Sequence, residues 1–141
     1  MILDEEEFER WLRSAKLTLR SALRDSEAGD HNWACFKAHQ AAEKALKALL
    51  WGIGEPAYGH SLKALAERVR EVGLEAPSWL IRAATRLSGY YTPTRYPDVW
   101  SEGIPEEYYT EEEAGEAIAL ARRIVEWVEE VWRRLSRGGR G

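Results

Sequence analysis

Apolar side chains recur at three- and four-residue spacing along nearly the whole chain, and no segment alternates with the period of two that a half-buried strand requires. Over 4–28, Phe8, Trp11, Leu12, Ala15, Leu19, Ala22 and Leu23 form one stripe. Asp4 stands where an N-cap is needed, Glu5, Glu6 and Glu7 suit the positive end of the helix dipole, and Gly29 marks the stop. A second helix over 30–51, with Asp30 as its cap, is apolar around most of its circumference: Ala34, Phe36, Ala38, Ala41, Ala42, Ala45, Leu46, Leu49 and Leu50. That pattern marks the central element, and its alanines let neighbouring helices come close. Three more helices follow. The segment 61–72 turns Leu62, Leu65, Val69 and Val72 inward, and 77–91 uses Leu80, Ala83, Ala84, Leu87 and Tyr90, with Pro77 in its first turn. The last, 110–136, opens on Thr110 and Glu113 at capping-box spacing and buries Ala114, Ala117, Ile118, Ala121, Ile124, Val125, Val128, Trp132 and Leu135. The pattern predicts an all-α fold, an up-and-down antiparallel bundle of about five helices, in one domain spanning 1–141.

The long connection 92–109 holds Pro93, Pro97 and Pro105 together with Tyr96, Trp100, Tyr108 and Tyr109, enough aromatic mass to pack down as an ordered loop. The basic, glycine-rich tail 137–141 is expected to fray. At 141 residues, 45% hydrophobic and 31% charged, the chain has globular composition. A net charge of −4 argues against a surface that coats nucleic acid, though not against a local basic patch. A lone cysteine, Cys35, forms no internal disulfide, and no apolar run approaches the roughly 20 residues that cross a bilayer. With an acidic N-terminus unlike a signal peptide, the expected location is the cytoplasm and no membrane partner is expected. Asn32 and Gln40 are the only side-chain amides among many Glu and Arg, a thermophile-like composition.

Candidate chemistry gathers on the second helix. Lys37, Gln40, Lys44 and Lys47 fall on one stripe, with Trp33 and Trp51 at its ends, an arrangement suited to phosphate and to a stacked base. A solvated edge of a buried helix, with Glu43 pairing a neighbouring lysine, accounts for the same stripe. The segment Thr94-Arg95-Tyr96-Pro97-Asp98 holds an arginine between prolines and aromatics, so it loses little freedom on pairing with an anion; a salt bridge from Arg95 to Asp98 or Glu43 is the structural alternative. His39 lies at the boundary of the stripe. His60, before Ser61, reads as part of a helix cap as well as a site candidate. Cys35 and His39 supply too few ligands for zinc, there is no glycine-rich phosphate loop, and no nucleophile triad is legible. No catalytic residue, metal or cofactor is expected.

The run Trp33-Ala34-Cys35-Phe36-Lys37-Ala38-His39-Gln40-Ala41-Ala42-Glu43-Lys44-Ala45-Leu46-Lys47-Ala48-Leu49 resembles the signature of the HEPN (higher eukaryotes and prokaryotes nucleotide-binding) family. Gly59-His60-Ser61-Leu62 and Tyr90-Tyr91-Thr92-Pro93-Thr94-Arg95-Tyr96-Pro97-Asp98 match two later blocks in the family's order. The resemblance implies a helical bundle that forms a homodimer, often beside a minimal nucleotidyltransferase in a toxin–antitoxin-like pair, with a nucleotide or RNA as ligand. Some members are metal-independent ribonucleases carrying Arg, four to six residues, then His near the late helix. Neither Arg82, Arg86 nor Arg95 is followed by such a histidine, and Arg24 with His31 has the spacing only across the first turn. The reading is therefore a non-catalytic module that binds a nucleotide or a partner through Lys37, Gln40, Lys44, Lys47, His60, Tyr91, Arg95 and Tyr96. A ribonuclease and a purely structural dimeric adaptor, with Leu120 and Trp127 facing a second subunit, are the alternatives.

Overall fold

Asp4 accepts the Glu7 N–H at 3.0 Å, and α1 (Glu5–Glu27) starts at that cap in the computed structural model, which describes residues 2–138. Four more helices follow: α2 (His31–Gly52), α3 (Leu62–Glu71), α4 (Ser78–Ser88) and α5 (Glu111–Gly138). The described residues contain no strand, so the all-helical bundle expected from the apolar period is the observed architecture. Ser61 caps α3 through the Ala64 N–H at 3.2 Å, and Thr110 caps α5 through the Glu113 N–H at 3.1 Å.

Several local expectations give way. Asp30 sits at the N-cap of α2 but makes no side-chain cap bond; its own N–H closes the turn by donating to the Asp25 carbonyl at 2.8 Å. Pro77 is extended and precedes α4 instead of lying in its first turn. That helix ends at Ser88, not at Tyr91, because Gly89 favours a stop and the Tyr90 N–H bonds three residues back to Leu87. Leu23 lies one position past the buried Ala22 and faces solvent. Arg137 and Gly138, assigned to a frayed tail, are helical, and 139–141 lie outside the described residues.

Helix α2 packs against all four other helices, and its alanines 34, 38, 41, 42, 45 and 48 are wholly buried. Pairings of Lys44 with Ser14 and of Lys37 with Asp25 run α1 antiparallel to it. Arg86 with Glu116 and Trp79 with Trp127 do the same for α4 and α5. Trp127 is buried against Trp79 at 6.4 Å, edge to face, so it is taken up inside the chain and not offered to a second subunit; Leu120 is half-buried beside it. In the connection 92–109, Trp100 stacks on Tyr108 at 3.9 Å and lies edge-on to Tyr109 at 5.9 Å, so most of the expected aromatic packing forms around Trp100.

The most closely packed of the described glycines is Gly52, the last residue of α2. Phe8 of α1 stacks on Trp132 of α5 at 4.0 Å and 8°, and a Cβ on Gly52 would meet the indole at 2.5 Å. Both rings are buried, so neither can swing aside without opening a void. Gly52→Ala is expected to cost about 1–3 kcal/mol of stability as overpacking. A urea melt checks it: the midpoint falls while the slope holds, and an unchanged midpoint removes the claim.

Candidate functional site

The segment 53–61 carries the chain back alongside α2, so that His60 meets Glu43, roughly 13 Å short of the end of α2. The His60 Nδ1 lies 3.1 Å from Glu43 Oε1, and Lys47 Nζ donates to Glu43 Oε2 at 3.2 Å. Glu43 and Lys47 are only 4% and 6% exposed. Lys47, expected on a wet cationic stripe, is thus inside the protein, neutralised by Glu43 and lying 5.7 Å from the centre of the Trp11 ring. His60 does not cap α3, since Ser61 does; its ring turns to Glu43 and stacks on Tyr91 at 4.9 Å and 16°.

Tyr91 is the hub of the second feature. Arg95 places its guanidinium carbon 4.2 Å from the Phe36 ring centre, 4.6 Å from that of Tyr91 and 5.0 Å from that of Tyr96. Its Nε donates to the Tyr91 carbonyl at 2.8 Å, and among the described residues no carboxylate pairs with it, neither Asp98 nor Glu43. The loop is held from below: the Asn32 amide donates to the Thr94 carbonyl at 3.0 Å, the buried Thr94 hydroxyl to the Tyr90 carbonyl at 2.8 Å, and the Trp100 indole to the Pro93 carbonyl at 2.8 Å. Next to this layer, His60, Ser61, Ser88, Gly89, Tyr91, Thr92 and Pro93 line an open cleft of about 480 Å³.

The remaining stripe residues lie in a different cleft, of about 370 Å³, between α1 and α2. Lys44 donates to Ser14 and Thr18, both at 2.9 Å, while Lys37 donates to Ser21 at 2.8 Å and pairs with Asp25 at 2.7 Å. Burial lowers the Lys44 pKa, against the opposing pull of Glu43. Gln40 completes the polar lining and meets His39 Nδ1 at 3.1 Å. Phe36, which also lines this cleft, carries Arg95 on its ring, so the stripe and the arginine loop adjoin through one side chain. Trp33 and Trp51 do not flank a common surface: Trp33 meets Phe36 edge-on at 6.3 Å and Trp51 meets Tyr58 edge-on at 5.5 Å.

Phe36, Ser14, Thr18 and Ser21 line the cleft beside α1, and the buried Asn32 holds the arginine loop, without any of them having been read as site residues from the sequence. Only Asn32 carried a signal, as the sole asparagine, in the first turn of the central helix. Among the described residues no three His, Cys, Asp or Glu side chains converge to hold a metal ion. Burial, with Glu113 nearby, pushes the Cys35 thiol to about 12, so it is inert as a nucleophile. No helix among the described residues is long and apolar enough to cross a membrane.

The bundle built around α2 and the clefts on its flanks define a known class. The chain belongs to the HEPN family, whose domain model matches residues 8–131. It is similar to the crystal structure of TT1696 from Thermus thermophilus, with 44% identity, a TM-score of 0.85, and 88% of this chain and 97% of that chain covered. Similar too are ST0689, an archaeal HEPN homologue (41%, TM-score 0.74, 87% and 95% covered), and the HEPN domain protein tm0613 of Thermotoga maritima (31%, 0.72, 89% and 98%). No curated protein matches the chain.

Two expectations test the buried polar groups. Glu43→Ala strands the Lys47 ammonium in the interior and is expected to cost about 3–5 kcal/mol in a denaturant melt, most of it recovered in the double variant Glu43→Leu/Lys47→Met. His39 is wholly buried, and burial lowers its pKa against the Gln40 bond and the Glu43 charge. A neutral ring donating from Nδ1 to Gln40 suits this burial, although the backbone of His60 also lies close enough to favour the protonated form. Protonation would bury a charge, and the cost of removing it from water outweighs the help from Gln40, Glu43 and the His60 backbone. The unfolded chain then binds more protons than the folded one, and stability falls as pH drops through the ordinary value of 6.5 towards the lowered one. His39→Leu should flatten that part of the stability–pH curve; an unaltered curve disproves the assignment.

Proposed function

We propose that this HEPN protein is a non-catalytic nucleotide-binding module, and that the Arg95–Tyr91 layer is where the nucleotide docks. The observation that carries the reading is the Arg95 guanidinium, stacked on three aromatic rings and free of any carboxylate among the described residues. Its Nη groups form a planar fork suited to a phosphate, and stacking holds that fork in place before the ligand arrives. Tyr96 is 47% exposed and offers ring surface to a base, while Tyr91, stacked on His60, borders the open cleft. His60, tethered by Glu43, supplies a further polar group at the rim. In this reading the chain also pairs with a second copy of itself and with a minimal nucleotidyltransferase partner in a toxin–antitoxin-like pair, the assembly that membership of the family suggests.

Calorimetry with AMP tests the proposal. Arg95→Ala is expected to weaken binding about ten- to hundredfold, the equivalent of one charge-assisted hydrogen-bonded contact. Arg95→Lys should restore little, because an ammonium lacks the planar face that the rings hold. No heat with AMP, or an affinity indifferent to Arg95, removes the reading. Cleavage of labelled RNA that survives chelation and is lost on His31→Ala would overturn the non-catalytic assignment.

A further inference from the structure

The cleft between α1 and α2 presents hydrogen-bond donors with few acceptors to receive them. Lys44 makes two of its three N–H bonds, to Ser14 and Thr18, and forms no ion pair among the described residues. Its neighbours are compensated: Lys37 by Asp25, and Lys47 by Glu43. A hydroxyl that accepts from an ammonium still has its own proton to donate. In Thr85 and Ser88 of α4 that proton goes to the carbonyl four residues back, at 2.8 Å each. Among the described residues Ser14, Thr18 and Ser21 make no such bond, although they too stand on a helix. Gln40 turns its oxygen to His39, which leaves its NH2 as the end available to the cleft. Three hydroxyl protons, an amide and one uncompensated ammonium therefore converge on a space of about 370 Å³. A guest rich in acceptors and bearing negative charge satisfies them; a neutral apolar guest does not.

We infer that this cleft is a phosphoryl subsite, in which Lys44, Gln40, Ser14, Thr18 and Ser21 receive the distal phosphates of a nucleoside polyphosphate. The part of the inference that joins it to a base rests on the nucleotide reading of the Arg95 layer. The connection is Phe36, which lines this cleft and lies under the Arg95 guanidinium. From Phe36 to Lys44 is just over two turns of α2, a rise of about 12 Å. A polyphosphate chain lying along that stretch passes from Arg95 to Lys44 without crossing an unpaired carboxylate, since Asp25 is engaged by Lys37 and Glu43 by Lys47 and His60.

The test compares AMP, ATP and inorganic triphosphate by calorimetry on the full chain. ATP is expected to bind about ten- to hundredfold tighter than AMP, and triphosphate alone to bind measurably. Lys44→Gln should erase the advantage of ATP and the binding of triphosphate. The double variant Ser14→Ala/Thr18→Val, which keeps the ammonium, should reduce both, so the result does not hang on how one variant folds. Equal affinities for AMP and ATP, or triphosphate binding indifferent to these variants, overturns the subsite and leaves the Arg95 layer standing. Triphosphate binding that needs Lys44, with AMP binding indifferent to Arg95, overturns the layer and leaves the subsite.

Discussion

The enclosure of α2 by the other four helices constrains everything else in this protein. A helix wrapped on most sides has only a narrow edge on which to leave charge, so the polar residues turned inward need partners within reach. Glu43 and Lys47, one turn apart, neutralise each other, and Glu43 then has an oxygen left for His60. His39 stays neutral and leans on Gln40. Lys37 and Lys44 escape full burial only by reaching towards the serines and the threonine of α1. The polar architecture of the molecule follows from where an alanine-rich helix is buried.

That constraint also places the arginine loop. Asn32 stands in the first turn of α2, and its amide fixes Thr94, so the prolines and aromatics around Arg95 are set against the helix. Arg95 then lies across Phe36 and Tyr91, one ring belonging to the cleft beside α1 and the other to the cleft beside α3 and α4. Two recesses that would otherwise be unrelated share a wall capped by a guanidinium. A conformationally stiff cation between two recesses is pre-organised for an anion, because little side-chain freedom remains to be lost on binding.

The sequence and the structure agree best where a single physical rule acts locally. Caps at Asp4, Ser61 and Thr110 were legible, because a short polar side chain before an apolar period has few other reasons to be there. Asp30 met the same rule and failed it: it stands at the N-cap of α2, but its carboxylate accepts no cap bond there. The family was legible from three ordered blocks of residues, which the match over 8–131 bears out. The split of the lysine stripe was not. Period alone puts Lys37, Lys44 and Lys47 on one face, and nothing in the period says that α1 covers two of them while the interior takes the third.

What the sequence determined by itself is the alphabet of the fold: five helices, the most buried of them, and the residues around which chemistry gathers. These depend on spacing and side-chain type, and both are written along the chain. Only the tertiary structure decided which of those residues meet. His60 found Glu43, Arg95 found Phe36, and Trp127 found Trp79, because each pair lies 17 or more positions apart and is joined by packing, not by period. Distances of that kind are set by how helices are covered, and a one-dimensional pattern carries no record of what covers them.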